Sequence, residues 1–422
     1  MWVLATTLLG INHQHKTPYC VELYLFTNKF FGSAGLELNR IMHTEELIDL
    51  GNRAREAHNP ELALSYYAQA MTQDRNSASA FNNYGNVLRE AGEPHAGIPF
   101  LQRSIQLAPE HPTAPFNLAV AYLLAGDYAR GWAQYESRWN YEHLAGALPE
   151  YEQPRWTGQD LKDKTVMVMG EQGHGDNIQF VRFVGDLTAR GARVILAVNS
   201  SLKPLFLGDA IPEIVCPGDD LPAFDYWIPI MSIPGVIGTT LDNLAAIQYY
   251  LTADDSLQKA WQQRLGPKRR LRVGFCWSGR RDTWINRHKA MPFADMLALI
   301  RRNPNYEWVN LQVDCNAEEE AELVEAGVRA YPGSIGSFAD SAALLMHMDV
   351  VLAVDTAVAH LAGALGRPVW VMLNNFALDW RWLLDRDSSP WYTTARLFRQ
   401  PAMGDWASVT EKVHKFLSFY KI

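Results

Sequence analysis

The sequence predicts an α-helical repeat array followed by an α/β region built of two parallel-sheet halves. Three observations predict it. Between residues 44 and 140, small and apolar residues recur with a period of 34. From residue 161 onward, short β-rich runs alternate with helical stretches. After a charged stretch that includes PKRRLR (267–272), the alternation starts again. Parallel strands joined by helices need both faces of the sheet covered. Each half is therefore expected to be a Rossmann-like domain, the two facing across a cleft.

The totals agree with several domains. A chain of 422 residues exceeds one ordinary core, and roughly one domain per 150 residues gives two or three. Lys and Arg number 38 against 46 Asp and Glu, a net charge of -8, which argues against a chain that coats nucleic acid. Cys20, Cys216, Cys276 and Cys315 are far apart and form no CxxC pair, so their spacing encodes neither a disulfide framework nor a zinc knuckle. A reducing cytoplasm is the expected compartment. The longest apolar stretch, VVLAVDTAVAHLAGALGRPVWVML, is interrupted by Asp355, His360 and Arg367, and no transmembrane helix is expected. MWVLATTLLG at the start is apolar but short and has no basic region before it, so a signal peptide is not expected. The division expected is 1–43 of unclear role, 44–140 repeats, 150–260 a first α/β domain and 268–422 a second.

In the repeats, Gly51 recurs as Gly85 and Ala119, Ala57 as Ala91 and Ala125, and Ala63 as Gly97 and Gly131. Small residues at these places let paired helices approach, while Tyr67, Leu88, Leu101, Leu118 and Tyr122 fill the space between them. Turns fall at HNPE (58–61), AGEP (91–94) and AGDY (125–128), giving about three helical hairpins. This spacing resembles the tetratricopeptide repeat, for which three units are near the minimum stable stack.

In the first α/β half, TVMVMG, RVILAV, EIVCPG and DYWIPIM read as buried strands, with helices from Asp176 and from Ser201. In the second, RVGFCW, EWVNLQ, VVLAV and PVWVML do the same. The segment GEQGHGD places Gly170, Gly173 and Gly175 between a strand and a helix. It is not the G-x-G-x-x-G of dinucleotide sites, and no acid takes the ribose role about 20 residues on.

The second half carries the clearest candidate site. A strand ends at Asp355, and Thr356 stands where a helix begins. The free N–H groups of that helix's first turn, with Ala357 leading it, suit a diphosphate, and His360 lies one turn on. Helix capping by Asp355 and Thr356 is the alternative. Upstream, Ser278 and Gly279 form a small-residue turn after a strand, followed by Arg280, Arg281, Arg287 and Lys289. Strand ends of this kind converge on one crevice, where Lys289 is the expected phosphate ligand; a solvated basic loop is the alternative for the arginines.

DTAVAHLAGALGRP (355–368) resembles the D-T-x-x-x-H-L-x-x-A-L-x-x-P signature of bacterial heptosyltransferases, with Ala357 where several of them have glycine. KAMP (289–292) resembles their lysine motif. Together with the repeats, EQGHGDNIQFVRF (171–183) and DWRWLLDRDSSPWYTTARLFRQ (379–400), the chain resembles a repeat-fused branch of the GT-B glycosyltransferases. That branch is similar in architecture to the protein O-GlcNAc transferases. The resemblance spans residues 44 to about 415.

It implies an inverting transfer of a sugar from a nucleotide-diphosphate donor, with no cofactor and no metal. Asp176 would be the general base, with His174 as rival and an N-cap role for Asp176 as alternative. Gly173 and Gly175 would let the acceptor approach the backbone, with Asp379, Trp380 and Arg381 lining the acceptor side. Packing is the alternative for the aromatic residues Trp380, Trp382 and Trp391. Gln312 would contact the nucleoside. Lys289 and the helix start at Thr356 and Ala357 would meet the charge of the leaving diphosphate. DRD (385–387) has the D-x-D form by which another glycosyltransferase fold holds manganese, but it is read as a surface turn after the last buried strand.

The partners implied are a nucleotide sugar and a protein or glycan acceptor, with a homo-oligomer left open. A repeat array suits an extended peptide. A transferase acting on lipopolysaccharide or another glycan, and a non-catalytic adaptor with a degenerate transferase domain, are the competing expectations.

Overall fold

The computed structural model describes residues 42–141, 148–207, 211, 213–244, 247–279 and 288–420. The chain divides into two compact units: one runs through Ala125 and resumes at Gln134, the other comprises Gly126–Ala133 and the chain from Leu148 onward.

The first unit holds helices α1 (Thr44–Glu56), α2 (Pro60–Gln73), α3 (Ala78–Glu90), α4 (Pro94–Leu107) and α5 (Ala114–Leu124). Pro60 and Pro94 open α2 and α4, where a missing N–H costs no helical bond. The turns before α2, before α4 and after α5 each place one residue in the left-handed region at the same 34-residue interval: His58 (φ 61°), Gly92 (84°) and Gly126 (81°). The period also explains the small residues. A Cβ on Gly97 would lie 2.5 Å from the carbonyl oxygen of Gly85, so α3 and α4 cross backbone to backbone. Around that crossing Tyr67, Phe81, Tyr84 and Val87 form the buried core.

The second unit contains two sheets, each wholly parallel. Strands β1 (Thr165–Met169), β2 (Arg193–Ala197), β3 (Glu213–Val215) and β4 (Tyr226–Pro229) lie in the order β3-β2-β1-β4. Strands β5 (Arg272–Cys276), β6 (Glu307–Asn310), β7 (Val350–Val354), β8 (Val369–Leu373) and β9 (Ala395–Arg399) lie in the order β6-β5-β7-β8-β9. The winding direction reverses between β1 and β4 and again between β5 and β7. Crevices for ligands form beyond the carboxyl ends of strands at such reversals. The helices that matter there are α6 (Tyr128–Tyr135), α7 (His174–Phe180), α8 (Phe293–Arg302), α9 (Phe338–Leu345) and α10 (Ala357–Ala364). Among the described residues no helix is long and apolar enough to cross a membrane.

Three local expectations are corrected. The helix expected from Asp176 starts at His174 with Gly173 as N-cap, because Asp176 is the third helical residue and its Oδ2 accepts the Gly173 N–H at 2.8 Å. The helix expected from Ser201 is only the single turn Lys203–Phe206: Ser201 N–H and Oγ–H both donate to Asn199 Oδ1, at 3.0 and 2.8 Å, and hold the preceding residues in a turn. The DRD segment precedes the last strand rather than following it, because ARLFR is β9. Ala395, Leu397 and Phe398 are buried there, while Arg396 pairs with Asp387 at 3.2 Å and Arg399 donates to the Trp382 carbonyl at 2.7 Å. Asp385 and Asp387 are exposed.

Candidate active site

At the end of β5 the chain turns through Trp277, Ser278 and Gly279. Gln312, just past β6, clamps this turn: its Oε1 accepts the Ser278 N–H at 3.1 Å, and its Nε2 donates to Ser278 Oγ at 3.1 Å. The amide of Gln312 therefore shapes the strand end. The neighbouring Cys276 thiol, bonded to Gln312 Oε1 at 3.1 Å, is pushed up to about 12 by burial. Arg280, Arg281 and Arg287 lie outside the described residues.

One strand over, β7 ends and Asp355 follows. Thr356 is the N-cap of α10, with extended backbone (φ -144°, ψ 169°), yet its side chain does not cap the helix. The first-turn N–H groups of Ala357 and Val358 accordingly have no side-chain acceptor at the cap. Asp355 turns instead to Lys289, whose Nζ lies 2.5 Å from Asp355 Oδ2 and 3.1 Å from Asp379 Oδ2. Burial pulls the Lys289 ammonium down, but the two carboxylates outweigh it and hold it above the usual lysine range. For Asp379 burial acts the other way, and Arg381 and Lys289 overcome it to hold the carboxyl far below the usual range.

The first sheet supplies the facing wall. A Cβ on Gly170 would sit 3.0 Å from the Ala197 carbonyl oxygen, so only glycine fits where β1 ends. Asn177 donates to the carbonyls of Glu171 and Gly173 at 3.0 and 2.8 Å and folds the turn onto α7. A Cβ on Gly175 would meet His360 Cδ2 at 3.0 Å and Ala357 Cα at 3.4 Å. The glycine in the first turn of α7 thus lets it abut the first turn of α10.

Arg381 joins the two walls. Its guanidinium donates to Asp176 Oδ1, to Gln179 Oε1 at 2.6 Å, and to both Asp379 oxygens at 3.1 and 3.2 Å. Its Cζ lies 4.6 Å from the centroid of the Trp380 ring. Trp380 is packing: it is buried against Tyr128, Trp132 and Trp391, with centroids 6.0, 5.3 and 5.8 Å apart. Trp391 and Tyr128 are tied by an indole N–H to hydroxyl bond of 3.0 Å.

His360 completes the network. Its ring stacks on Trp382 at 5.3 Å, Nδ1 is 2.9 Å from the Tyr392 hydroxyl, and Nε2 is 3.7 Å from Asp355 Oδ1. Burial lowers its pKa more than Asp355 raises it, so the ring is neutral at pH 7. Asp176, Asp355 and Asp379 against Lys289 and Arg381 leave the cluster with one net negative charge.

The structure thus gathers Asp176, Lys289, Asp355, His360 and Arg381, with Gly175, Thr356 and Ala357 at their edge. Others lie apart. His174 Nε2 is engaged with Ser201 Oγ at 2.8 Å and its ring packs 5.0 Å from that of Phe338, the first residue of α9. Ser278 and Gln312 bond mainly to each other, and Gly173 serves as helix cap. Gln179, Tyr250 and Tyr392 were missed by sequence reasoning; side chains whose partners lie 32 to 202 residues away leave no local pattern. A cavity of about 610 Å³ lined by Lys268, Arg272 and Asp349 opens at the amino ends of β5 and β7, the wrong edge of the sheet for this chemistry.

No family model matches the chain. It is 27% identical over 459 aligned positions to protein FlbA of Caulobacter vibrioides, covering 91% of this chain and 74% of that protein. The glycosyl transferase family 9 structure from Veillonella parvula is similar over 62% of this chain and 97% of its own, at 11% identity and a TM-score of 0.48. The ADP-heptose lps heptosyltransferase II of E. coli is similar over 60% of this chain and 97% of its own, at 14% identity and a TM-score of 0.40.

Proposed function

We propose that this chain is an inverting glycosyltransferase, using a nucleotide-diphosphate sugar as donor and a hydroxyl of a protein held by the repeats as acceptor. One observation carries the reading: a carboxylate from the first wall and a cation beside an uncapped helix start from the second meet at the reversal points of two parallel sheets.

The chemistry follows from those groups. The acceptor hydroxyl attacks the anomeric carbon from the face opposite the diphosphate and gives its proton to Asp176, while the bond from that carbon to the diphosphate oxygen breaks. The departing diphosphate is met by the N–H groups of Ala357 and Val358, with Lys289 alongside, so no divalent ion is needed to neutralise it. Lys289 sits between Asp355 and Asp379, so a diphosphate replaces carboxylate on it. Cys216 and Cys276 form no disulfide among the described residues and fit a cytoplasmic setting.

A protein acceptor is favoured over a glycan by a line of amides on the repeats. Asn83 Nδ2 donates to Asn52 Oδ1 at 3.0 Å, Asn117 Nδ2 to Asn82 Oδ1 at 2.9 Å, and Asn82 Nδ2 to Asn83 Oδ1 at 2.9 Å. Side-chain amides pair readily with the amides of an extended peptide.

The test is hydrolysis and transfer across a panel of nucleotide sugars, comparing wild type with Asp176→Asn and Lys289→Ala. Loss of transfer in both, with weaker nucleotide binding only in the lysine variant, supports the assignment. Full activity in Asp176→Asn removes that residue as base.

A further inference from the structure

Two positions of the third repeat depart from the first two. At the 34-residue interval, Tyr128 stands where the earlier repeats have Pro94 and Pro60, and Trp132 where they have Ile98 and Leu64. Tyr135 keeps the pattern: it matches Leu101 and Tyr67, is buried, and its ring lies 5.6 Å from that of Phe116. The division between the two compact units falls within α6, so that Tyr128 and Trp132 belong with the two sheets and Tyr135 with the repeats. Both departing positions carry large aromatic side chains, and both are buried.

Trp132 lies behind the two rings that flank Arg381. Arg381 Cζ is 4.6 Å from the centroid of Trp380 and 5.7 Å from that of Phe180. Trp132 meets both rings edge to face, its centroid 5.3 Å from that of Trp380 and 6.1 Å from that of Phe180, with interplanar angles of 89°. Phe180 stands one turn after Asp176 on α7, and Trp380 immediately precedes Arg381. The indole thus braces both partners of the Asp176–Arg381 pair. It has no room to withdraw: a Cβ on Gly235 would lie 3.2 Å from Trp132 Cβ. On another side the Tyr128 ring is 5.6 Å away, and its hydroxyl accepts the Trp391 indole N–H at 3.0 Å.

We propose that Trp132 is a positioning residue of the transfer reaction. Through Trp380 and Phe180 it fixes the Arg381 fork against Asp176, and so aims the carboxylate that takes the acceptor's proton. This rests on the reading of Asp176 as general base. A guanidinium held on an indole face follows that face when it tilts, and a base displaced by about 1 Å loses about a hundredfold in rate. Packing alone would act on stability and leave turnover as it is.

The experiment replaces Trp132 in the full chain by leucine, which has no ring edge, and by phenylalanine, which keeps one. Hydrolysis of ADP-glucose, GDP-glucose and UDP-glucose is followed, water standing in for the acceptor hydroxyl, and donor affinity is measured separately by calorimetry. Trp132→Leu should turn over about tenfold more slowly with donor affinity within about threefold of wild type, the pattern of a misplaced base. Trp132→Phe should recover most of that loss. In an Arg381→Lys background, Trp132→Leu should lower turnover by less than about twofold more, because residues acting through one contact do not add. Nitrogen-15 spectra should show the Arg381 Nε–H protected from exchange in wild type and exchanging faster in Trp132→Leu. If the leucine variant does not fold, Tyr128→Phe, which removes only a hydroxyl behind the indole, takes its place, with turnover expected to fall about threefold at unchanged donor affinity. Unchanged turnover, a loss confined to donor affinity, full additivity with Arg381→Lys, or an unaltered Arg381 signal in the variant that folds would overturn the proposal. If wild type hydrolyses none of the three sugars, the transferase reading fails instead, and the Arg381 signal alone decides whether Trp132 holds the fork.

Discussion

Gly175 and His360 touch across the two α/β halves: a Cβ on the glycine would lie 3.0 Å from the imidazole Cδ2. Helix propensity alone favours replacing this glycine, by about 1 kcal/mol for alanine. Overpacking a tight contact costs roughly 1–3 kcal/mol. For Gly175→Ala the two nearly cancel, whereas Gly175→Leu should destabilise by about 1–3 kcal/mol and lower transfer by forcing α7 from α10. Urea unfolding and transfer assays of both variants check this; a fully active, fully stable leucine variant would show that the two helix starts need not meet.

The position of Lys289 between Asp355 and Asp379 makes its removal costly. Breaking a buried ion pair from one side typically costs about 3–5 kcal/mol, because the remaining charge has no compensation. Lys289→Ala should therefore lose stability of that order, and adding Asp379→Asn should recover part of it. A double-mutant cycle by chemical unfolding measures the coupling. Simple additivity of the two changes would mean that the lysine and Asp379 do not act as a pair.

Acid should act in two stages. His360 has a lowered pKa in the folded protein, so the unfolded chain binds more protons and stability falls as pH drops below about 6.5. Asp379 also has a depressed pKa; its contribution is present above the unfolded carboxyl value of about 3.9 and is lost as pH falls further. Thermal unfolding from neutral to acid pH should show both limbs in wild type. His360→Gln should shrink the upper one, leaving the share of His111, whose pKa burial also lowers, and keep the lower; an unaltered profile would mean that His360 is not held neutral by the fold.

How much of this was legible beforehand depends on how local the signal was. Eight of the strands read directly as apolar runs, since a strand buried on both faces leaves a continuous apolar string. The ninth did not, because Arg396 and Arg399 break its run while their heads reach Asp387 and the Trp382 carbonyl. Asp355, Thr356 and His360 share one strand end and one helical turn, so their spacing alone placed them together. The link from Arg381 to Asp176, 205 residues apart, exists only once two sheets have folded against each other. For the same reason Asp176 read as a possible N-cap: nothing in GHGD says that Gly173 holds that place.

A transferase and a repeat adaptor with a decayed domain predict different thermal behaviour. A chain that binds a nucleoside diphosphate only when folded gains about 2.7 kcal/mol at a hundred times the dissociation constant. Wild type should show such a gain with one of ADP, GDP or UDP and none with the corresponding nucleoside. An adaptor should show no shift with any of them in a thermal melt.

Arg381 offers the sharpest separation of charge from geometry. Its planar fork serves Asp176, Gln179 and Asp379 at once. Lysine keeps the positive charge but offers a single point, so it cannot hold three acceptors on two sides of a cleft. If Arg381 contributed only charge, Arg381→Lys would behave as wild type. If it orients the Asp176 carboxylate toward an acceptor, donor affinity should stay within about threefold while turnover falls by about ten- to a hundredfold, the range expected when a catalytic base is misplaced. Steady-state kinetics that vary donor and acceptor separately read the two effects apart. A drop confined to donor affinity would move Arg381 from the acceptor side of the site to the phosphate side.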